Sequence, residues 1–515
     1  QQADPPRTDK EQNSKIQSLM SVLEFDKNQL GNLEYALRRE MLSTNRAGGY
    51  MSTTIVCCNT RKYHGLFVGP VREGDEHDYV MLSSLDETVV QHDHSFNLAL
   101  HRFPETYEPK GHKYLVDFTY TPLPALTYRV GGVLLRKEIL WIHAHAQLLI
   151  RYTLLEARSQ TILRLRPFLA FRDKHTLSKA NFYADGRSFP VTGGVRNRLY
   201  EGFPWLYLQT DAGAEFIPAP DWYYNFEYTE ERERGYDYLE DLLTTGYFET
   251  EITKGKPVVF SCSLEEVSSP AMLDEMFEAE AARRSRKDDF LSCLRHSARQ
   301  FIVRNAGGTD IVAGYPWFGR WGRDTFIALP GVTLSQGDIR SCTEVLDTLT
   351  GQLQEGLFPN MGTAYNSADA PLWFFWVRPN LRPGGLGALR PLHERDTRRL
   401  PQRHRRSRPY RPQRTRTGFA PVVGDDVDGR GSGRPSGHGP RRLPGGNQCT
   451  LVQCRMLYAG AGRTVRRQAI RRSVARYTRP RTRFVSHDVL VRRRRIPRRL
   501  RRCRRYAEHL HTPQP

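Results

Sequence analysis

The hydrophobic pattern of this chain changes period once, near residue 270, and that change sets the kind of fold it can adopt. From about Leu33 to Val267 apolar and polar residues alternate with period two, the spacing of half-buried strands. The clearest run is LLRKEILWIHAHAQLLIRYTLL (Leu134–Leu155), with Gly131-Gly132 just before it as a hairpin turn. TILRLRPFLAF and KPVVFSCSL read as further strands, and strands in series predict an antiparallel β-sandwich. From Ala271 to Val303 the spacing becomes helical. Phe290, Leu291, Leu294, Ala298, Phe301 and Ile302 form one apolar stripe. A second helix is expected over Asp338–Gln354, with Ile339, Cys342, Val345, Leu346 and Leu349 on one face. The expected architecture is an all-β domain followed by helical hairpins, with the boundary near residues 265–275.

Between the two helical stripes lies GYPWFGRWGRDTFIALPG (Gly314–Gly331). It is too polar for a core strand and too aromatic for an ordinary surface loop. Trp317 and Trp321 offer flat apolar faces, and the adjacent Arg323 and Asp324 offer a hydrogen-bonding fork and a carboxylate. A pyranose, with its C–H faces and vicinal hydroxyls, needs this combination. The plainer alternative is a helix start at Gly-Arg-Asp followed by the apolar run Thr325–Leu329.

Charge separates the end of the chain from the rest. The formal net charge of +21 would ordinarily point to nucleic acid. From residue 377 to 515, however, there are 37 Arg, no Lys and seven acidic residues, a net +30. The first 376 residues keep 40 basic and 49 acidic groups, a net −9, and all seven tryptophans. After Trp376 neither strand nor helix period remains, and a disordered Arg/Pro-rich segment is expected over 377–515. Residues 1–30 are polar and weakly patterned, so they too are expected to lack structure. The eight scattered cysteines form no disulfide framework or zinc spacing, which suggests a reducing compartment. No apolar run reaches the ~18 residues of a membrane helix and no signal peptide is recognised, so no membrane partner is expected. The chain opens on Gln, and a fragment or processed form is expected.

Two blocks carry a family resemblance. LSTNRAGGYMSTTIVCCNTRKYHGLFVGP (Leu42–Pro70) resembles the N-terminal signature of bacterial and archaeal-type glycogen debranching enzymes. WFGRWGRDTFIALPG, followed by GLFPN and YNSADAPLWFFW, resembles the start of their amylo-α-1,6-glucosidase domain. The resemblance covers roughly residues 30–376. It implies a β-sandwich over 31–268 and an (α/α)6 barrel that begins at 269 and is incomplete at 376. It further implies cytoplasmic breakdown of glycogen or a related branched α-glucan, by hydrolysis of α-1,6-linked glucose with inversion, and no metal or cofactor. By resemblance, Trp317 and Trp321 wall a glucose pocket and Arg323 and Asp324 hold sugar hydroxyls. Asp369, Tyr365, Asn366 and Trp373 would line the same pocket from the next helix pair. Asp369 can also be read as the N-cap of the helix APLWFFW. Tyr63 and His64, within NTRKYHG, read as buried polar aromatics, and Gly48-Gly49 as a turn.

An inverting glycosidase needs an acid and a base carboxyl about 6.5–9.5 Å apart. The resemblance places both beyond residue 376, the acid in a Trp-Met-Asp motif that this chain lacks, so no catalytic residue is assigned. Shifting the frame restores such a motif. One codon set allowed for Asp425–Gly431, read one nucleotide later, gives Met-Thr-Trp-Met-Asp-Ala. One set for Gly446–Cys454, with the same offset, gives Glu-Ile-Asn-Ala-Leu-Trp-Tyr-Asn. A single-nucleotide slip near codon 376 is therefore expected, with no glucosidase activity in the chain as written. The alternatives are another (α/α)6 glycosidase such as a glucoamylase, a non-catalytic glycan-binding protein and, last, an Arg-rich nucleic-acid binder.

Overall fold

The computed structural model describes residues 23–377, apart from 73–76, 286, 288 and 363. Structure begins earlier than the sequence suggests. Glu24–Asp26 pairs antiparallel with Leu115–Tyr120, and Asp26 then caps helix α1 (Lys27–Gly31). The Asp26 carboxylate accepts from the N–H groups of Asn28 and Gln29, and Gln29 Oε1 accepts from Asp26 N, a closed capping box. Helix α2 (Leu33–Leu37) follows from Asn32. The expectation of a structureless segment through residue 30 therefore fails for residues 24–30. Local capping and the seating of Phe25 against Phe118, at 5.9 Å, replace the missing periodicity.

Two antiparallel sheets make up the β region. One has nine strands in the order 24–26, 115–120, 124–130, 133–141, 147–156, 258–263, 206–210, 194–197, 189–191. The other has eight: 215–227, 239–251, 162–173, 79–91, 65–69, 50–54, 40–44, with 94–97 also paired to 79–91. The Gly131-Gly132 hairpin forms as expected, with Val130 opposite Val133 and both glycines at positive φ (57° and 84°). Two successive left-handed residues are what a two-residue turn matching strand twist requires. The inward residues of both sheets build one core, in which Leu126, Ile139, Leu148 and Phe260 of the first join Met51, Phe67, Leu82 and Leu165 of the second. Within it Lys137 Nζ meets Glu87 Oε1 at 2.5 Å, and Tyr152 donates to the same carboxylate at 2.7 Å. This links the two sheets through a fully buried ion pair, whose desolvation cost is offset only because the partners are satisfied together. Helix α3 (Thr229–Glu233) lies between the strands 215–227 and 239–251.

Helices take over after Ser263, near the expected boundary, but the first stripe is arranged differently. The segment 271–303 is two helices, α4 (Leu273–Arg283) and α5 (Phe290–Gln300), and Asp289 starts the second through a capping box with Ser292. α4 packs back onto the nine-stranded sheet, with Leu273 and Phe277 against Leu140, Leu149 and Val259. The stripe on α5 is not buried: Phe290, Leu291 and Leu294 are 59, 52 and 49% exposed. Phe301 is the C-cap, and Ile302 begins a hairpin, Ile302–Asn305 with Gly308–Ile311, that helical spacing conceals. α6 (Gly322–Val332), α7 (Ile339–Gly351) and α8 (Ala370–Val377) enclose a second core of Phe326, Leu329, Cys342, Val345, Leu346, Leu349, Phe358 and Val377. On α7 the expected face is buried and Asp338 is its N-cap, accepting from Ser341 N at 2.9 Å. The Arg-rich segment after Val377, its frame-shifted motifs, and Cys449, Cys454 and Cys503 lie outside the described residues. The five described cysteines are free thiols.

Candidate functional site

The aromatic stretch does both things its sequence allowed. Its second half is a helix: α6 starts at Gly322, with Trp321 as N-cap. Gly322 is obligatory there, because an added Cβ would lie 2.1 Å from the carbonyl oxygen of Pro359. Its first half is a loop tied to the β region. Tyr50 donates to the Pro316 carbonyl at 3.0 Å, and the Tyr50 and Tyr315 rings are 5.1 Å apart. Arg320 pairs with the half-buried Asp310 at 2.9 Å. Burial pushes the Asp310 carboxyl up, and Arg320 counters only part of that rise.

Four of the eight expected site residues converge directly on one another or through one side chain. Arg323 Nε stands 3.2 Å from Asp369 Oδ2. Asp369 also accepts from Ser367 Oγ at 2.7 Å and from Trp373 Nε1 at 3.3 Å. Its backbone carbonyl receives the N–H groups of Leu372 and Trp373, so Asp369 does open α8. Its carboxylate, however, is engaged by side chains rather than spent as a cap. Asn366 joins through Asn360: Asn360 Nδ2 donates to Asn366 Oδ1 at 3.0 Å, and Asn360 Oδ1 accepts from Arg323 N at 3.3 Å. Asn360 ends the GLFPN block, and its linking role was not assigned from sequence. The clue was its position in a loop that must meet the glycine-start of α6.

The other four lie around this group. Asp324, exposed in the first turn of α6, faces the positive end of the helix dipole. Trp321 is bridged to Met361, and its ring is 5.1 Å from Phe318. Trp317 leans toward the β region, with the Arg61 guanidinium over its ring at 5.0 Å and Tyr63 at 6.2 Å. Tyr63, Trp317, Phe318 and Trp321 thus form one string of rings reaching the start of α6. Tyr365 donates its hydroxyl to the Gln352 carbonyl at 2.8 Å, which anchors the 352–366 loop. Arg61 belongs to this surface but was not assigned from sequence. Tyr63, expected to be buried, is only half-buried because its ring turns out toward Trp317. Nothing local couples either to residue 317. Their neighbour His64 is fully buried, as expected. Its Nδ1 accepts from Thr60 N at 3.2 Å, and burial holds its pKa down. The Gly48-Gly49 turn is closed by Asn45, whose Oδ1 accepts from the N–H groups of Ala47 and Gly49.

The surface combines a half-exposed guanidinium (Arg323, 52%), a carboxylate 18% exposed (Asp369), an amide pair and indole faces. That set can recognise a neutral polyol by bidentate hydrogen bonds and ring stacking. Among the described residues no group of three His, Cys, Asp or Glu side chains is placed to hold a metal.

Comparison with known families matches both halves. Residues 39–259 match the family model described as glycogen debranching enzyme N terminal, and residues 296–377 match amylo-alpha-1,6-glucosidase. Together these matches span more than half of the chain. The chain belongs to the glycogen debranching enzyme family. Similar solved structures include a bacterial glucoamylase complexed with acarbose, 11% identical, with a TM-score of 0.39. That match covers 66% of this chain and 55% of the glucoamylase, so the chain spans about half the length of that relative. The family's two segments meet within the described residues, at the contacts of Tyr50 and Tyr63 with the 315–317 loop.

Proposed function

We propose that this chain derives from an inverting α-1,6-glucosidase that removes the single glucose left at a trimmed glycogen branch, in the cytoplasm. The observation that carries this reading is the Arg323–Asp369–Trp373 cluster, placed inside the segment that matches the amylo-alpha-1,6-glucosidase model. In this reading residues 31–268 are the family's β-sandwich and residues 269–376 open its (α/α)6 barrel. The guanidinium of Arg323 and the carboxylate of Asp369 take adjacent hydroxyls of the terminal glucose, one donating and one accepting. Holding each other at 3.2 Å fixes both before substrate arrives. Trp321 and Trp373 supply faces for the sugar's C–H bonds, Asn366 and Asp324 further polar contacts, and Tyr365 the anchoring of the loop. Trp317, with Arg61 and Tyr63 beside it, extends the aromatic surface toward the β region, where the rest of the glucan would run.

Hydrolysis needs two carboxyls on opposite faces of the anomeric carbon. In this reading they belong to the stretch after Val377, where a one-nucleotide slip near codon 376 has replaced them with Arg-rich sequence. The test is glucose release from a branched limit dextrin. The chain as written should release none. A chain with the frame restored should release glucose, and should prefer α-1,6 over α-1,4 ends. Release by the chain as written would end the claim of inactivity. A restored chain that prefers α-1,4 ends would end the debranching reading. Resequencing codons 370–385 tests the slip itself.

A further inference from the structure

Cationic side chains collect where the β region gives way to the helices, and the described residues do not neutralise them. The turn at 45–49 and the turn at 142–146 are joined there: Ala144 N donates to Asn45 O, and Asn45 Nδ2 donates to His145 O, each at 2.9 Å. Arg304 N donates to Arg46 O at 2.8 Å, which brings in the 302–311 hairpin. Arg284, at the end of α4, donates to the Trp141 carbonyl. Lys287, only 2% exposed, sets its Nζ 3.0 Å above the Tyr120 ring, and the His296 ring of α5 lies 6.1 Å from the same tyrosine. Arg299, also on α5, reaches back to Ser285.

The charges do not balance. Arg46, Arg284, Lys287, Arg299 and Arg304 stand against Glu280, Asp338 and Glu344. Glu280 is taken by Arg284 at 2.9 Å and Glu344 by Arg304 at 3.0 Å, while Asp338 is engaged with Ser341. Arg46 and Arg299 have no carboxylate partner among the described residues, and three buried donors have no hydrogen-bond partner: Lys287 Nζ, Arg46 Nε and Arg284 Nε. Buried polar groups in folded proteins are almost always satisfied, so these three ask for an acceptor. Arg46 also holds a left-handed backbone, φ 59°, which glycine or asparagine would adopt at lower cost. The sequence after Val377, with its 37 arginines, is of the wrong sign to answer the excess.

We infer that this junction binds a small dianion of the phosphate class, held by Arg46 and Lys287, with Arg284, Arg299 and His296 around it. A tetrahedral dianion offers several acceptors to donors arriving from different elements. A nucleic-acid backbone could not reach a lysine this deeply buried. Exposed His145 and Arg299 leave one edge open to solvent. The mutual repulsion is visible in the titratable groups. Burial, with Arg284 adding to it, holds Lys287 down at about 7. Burial, then Lys287, Arg284, Arg299 and Arg46, hold His296 down at about 3. The site is separate from the Arg323–Asp369 cluster, and its inference does not depend on the proposed glucosidase activity.

The experiment titrates the full chain with inorganic phosphate, in phosphate- and sulfate-free buffer at constant ionic strength, read by calorimetry and thermal melting. Saturable 1:1 binding and a rise in Tm are expected. Arg46→Gln and Lys287→Met should each weaken binding about tenfold or more. Arg46→Gln should melt no lower than the parent in the absence of phosphate, since it removes a cation that has no carboxylate partner among the described residues. Arg187→Gln, far along the sequence on an exposed pair with Asp185, should bind phosphate as the parent does. A second arm uses glucose 6-phosphate: tighter binding identifies an organic phosphate ester, and equal or weaker binding identifies inorganic phosphate. Absence of saturable binding by the parent overturns the inference. So does parent-like affinity in both variants.

Discussion

The β region and the helical region bury their apolar residues to different degrees, and the difference follows from how each architecture closes. Each sheet covers the other, so residues such as Trp141, Phe67, Leu126 and Phe260 reach 0–1% exposure within one stretch of chain. A helix in a row of hairpins has two flanks, and its neighbours cover only those they touch. α7 buries its stripe on α6 and the 302–311 hairpin, whereas α5 leaves Phe290, Leu291 and Leu294 in solvent and α8 leaves Trp376 38% exposed. Sheets that close on each other are complete locally, but helical layers are complete only with their next neighbour.

The largest effect should come from the β core. Trp141 packs on Phe67 at 4.6 Å and sits so close over Gly49 that a Cβ there would meet its ring at 2.7 Å. Trp141→Ala should cost about 3–5 kcal/mol in urea unfolding of the β region. A cost under about 1 kcal/mol would mean that the two sheets do not share a core, and the contrast would fall.

Even the closed half holds a group that burial penalises, and pH can expose it. Asp211 accepts from Val259 N at 2.7 Å, but burial, with the Asp274 charge adding to it, pushes its carboxyl up from 3.8 to about 6. A carboxyl whose folded pKa is raised binds its proton more tightly in the folded state. It carries no penalty below about pH 3.8, and the penalty grows as pH rises through 6. Asp211→Asn keeps an acceptor for Val259 N, so it should stabilise by about 1–2 kcal/mol at pH 7.5 and be neutral near pH 3.5. Equal effects at both pH values would show that the carboxylate is well solvated after all.

The site makes the opposite kind of prediction, a small change in stability with a large change in binding. Arg323 is half exposed, so its pair with Asp369 should contribute under about 1 kcal/mol to folding. Asp369→Asn should therefore melt close to the parent, yet bind α-glucan in affinity electrophoresis about tenfold more weakly, because a charged acceptor is lost from the proposed sugar contact. A large loss of stability with unchanged glucan affinity would reassign Asp369 to holding α8 in place.

How much of this was legible in the sequence depends on how local each determinant is. Gly131-Gly132 between alternating strands specifies its own hairpin, and Asp338 with the stripe from Ile339 to Leu349 specifies its own helix. The stripe from Phe290 to Ile302 misleads, since spacing reports which residues share a face and not whether anything covers it. The end of α4 at Arg283, the separate start of α5 at Phe290 and the start of a strand at Ile302 were concealed by the same continuous spacing. Within the site, Arg323 and Asp369 were legible as candidate polar groups, but their pairing across 46 residues was not. Arg61 and Tyr63, some 250 residues before Trp317, carry no local sign that they meet it.

The smallest expected effect bears hardest on the comparison. If α5 truly presents an uncovered face, replacing Leu294 by glutamate removes an exposed apolar side chain and buries no charge. Leu294→Glu should then change unfolding free energy by no more than about 0.5 kcal/mol, as for other surface positions. It should also lower the tendency of the chain to self-associate, measured by light scattering against concentration, since contiguous exposed apolar groups drive association. A loss of about 2 kcal/mol or more would mean that this face is already packed and that the added charge is being buried. In that case α5 would be as complete as the sheets, and the difference between the two regions would lie in their connectivity rather than in their closure.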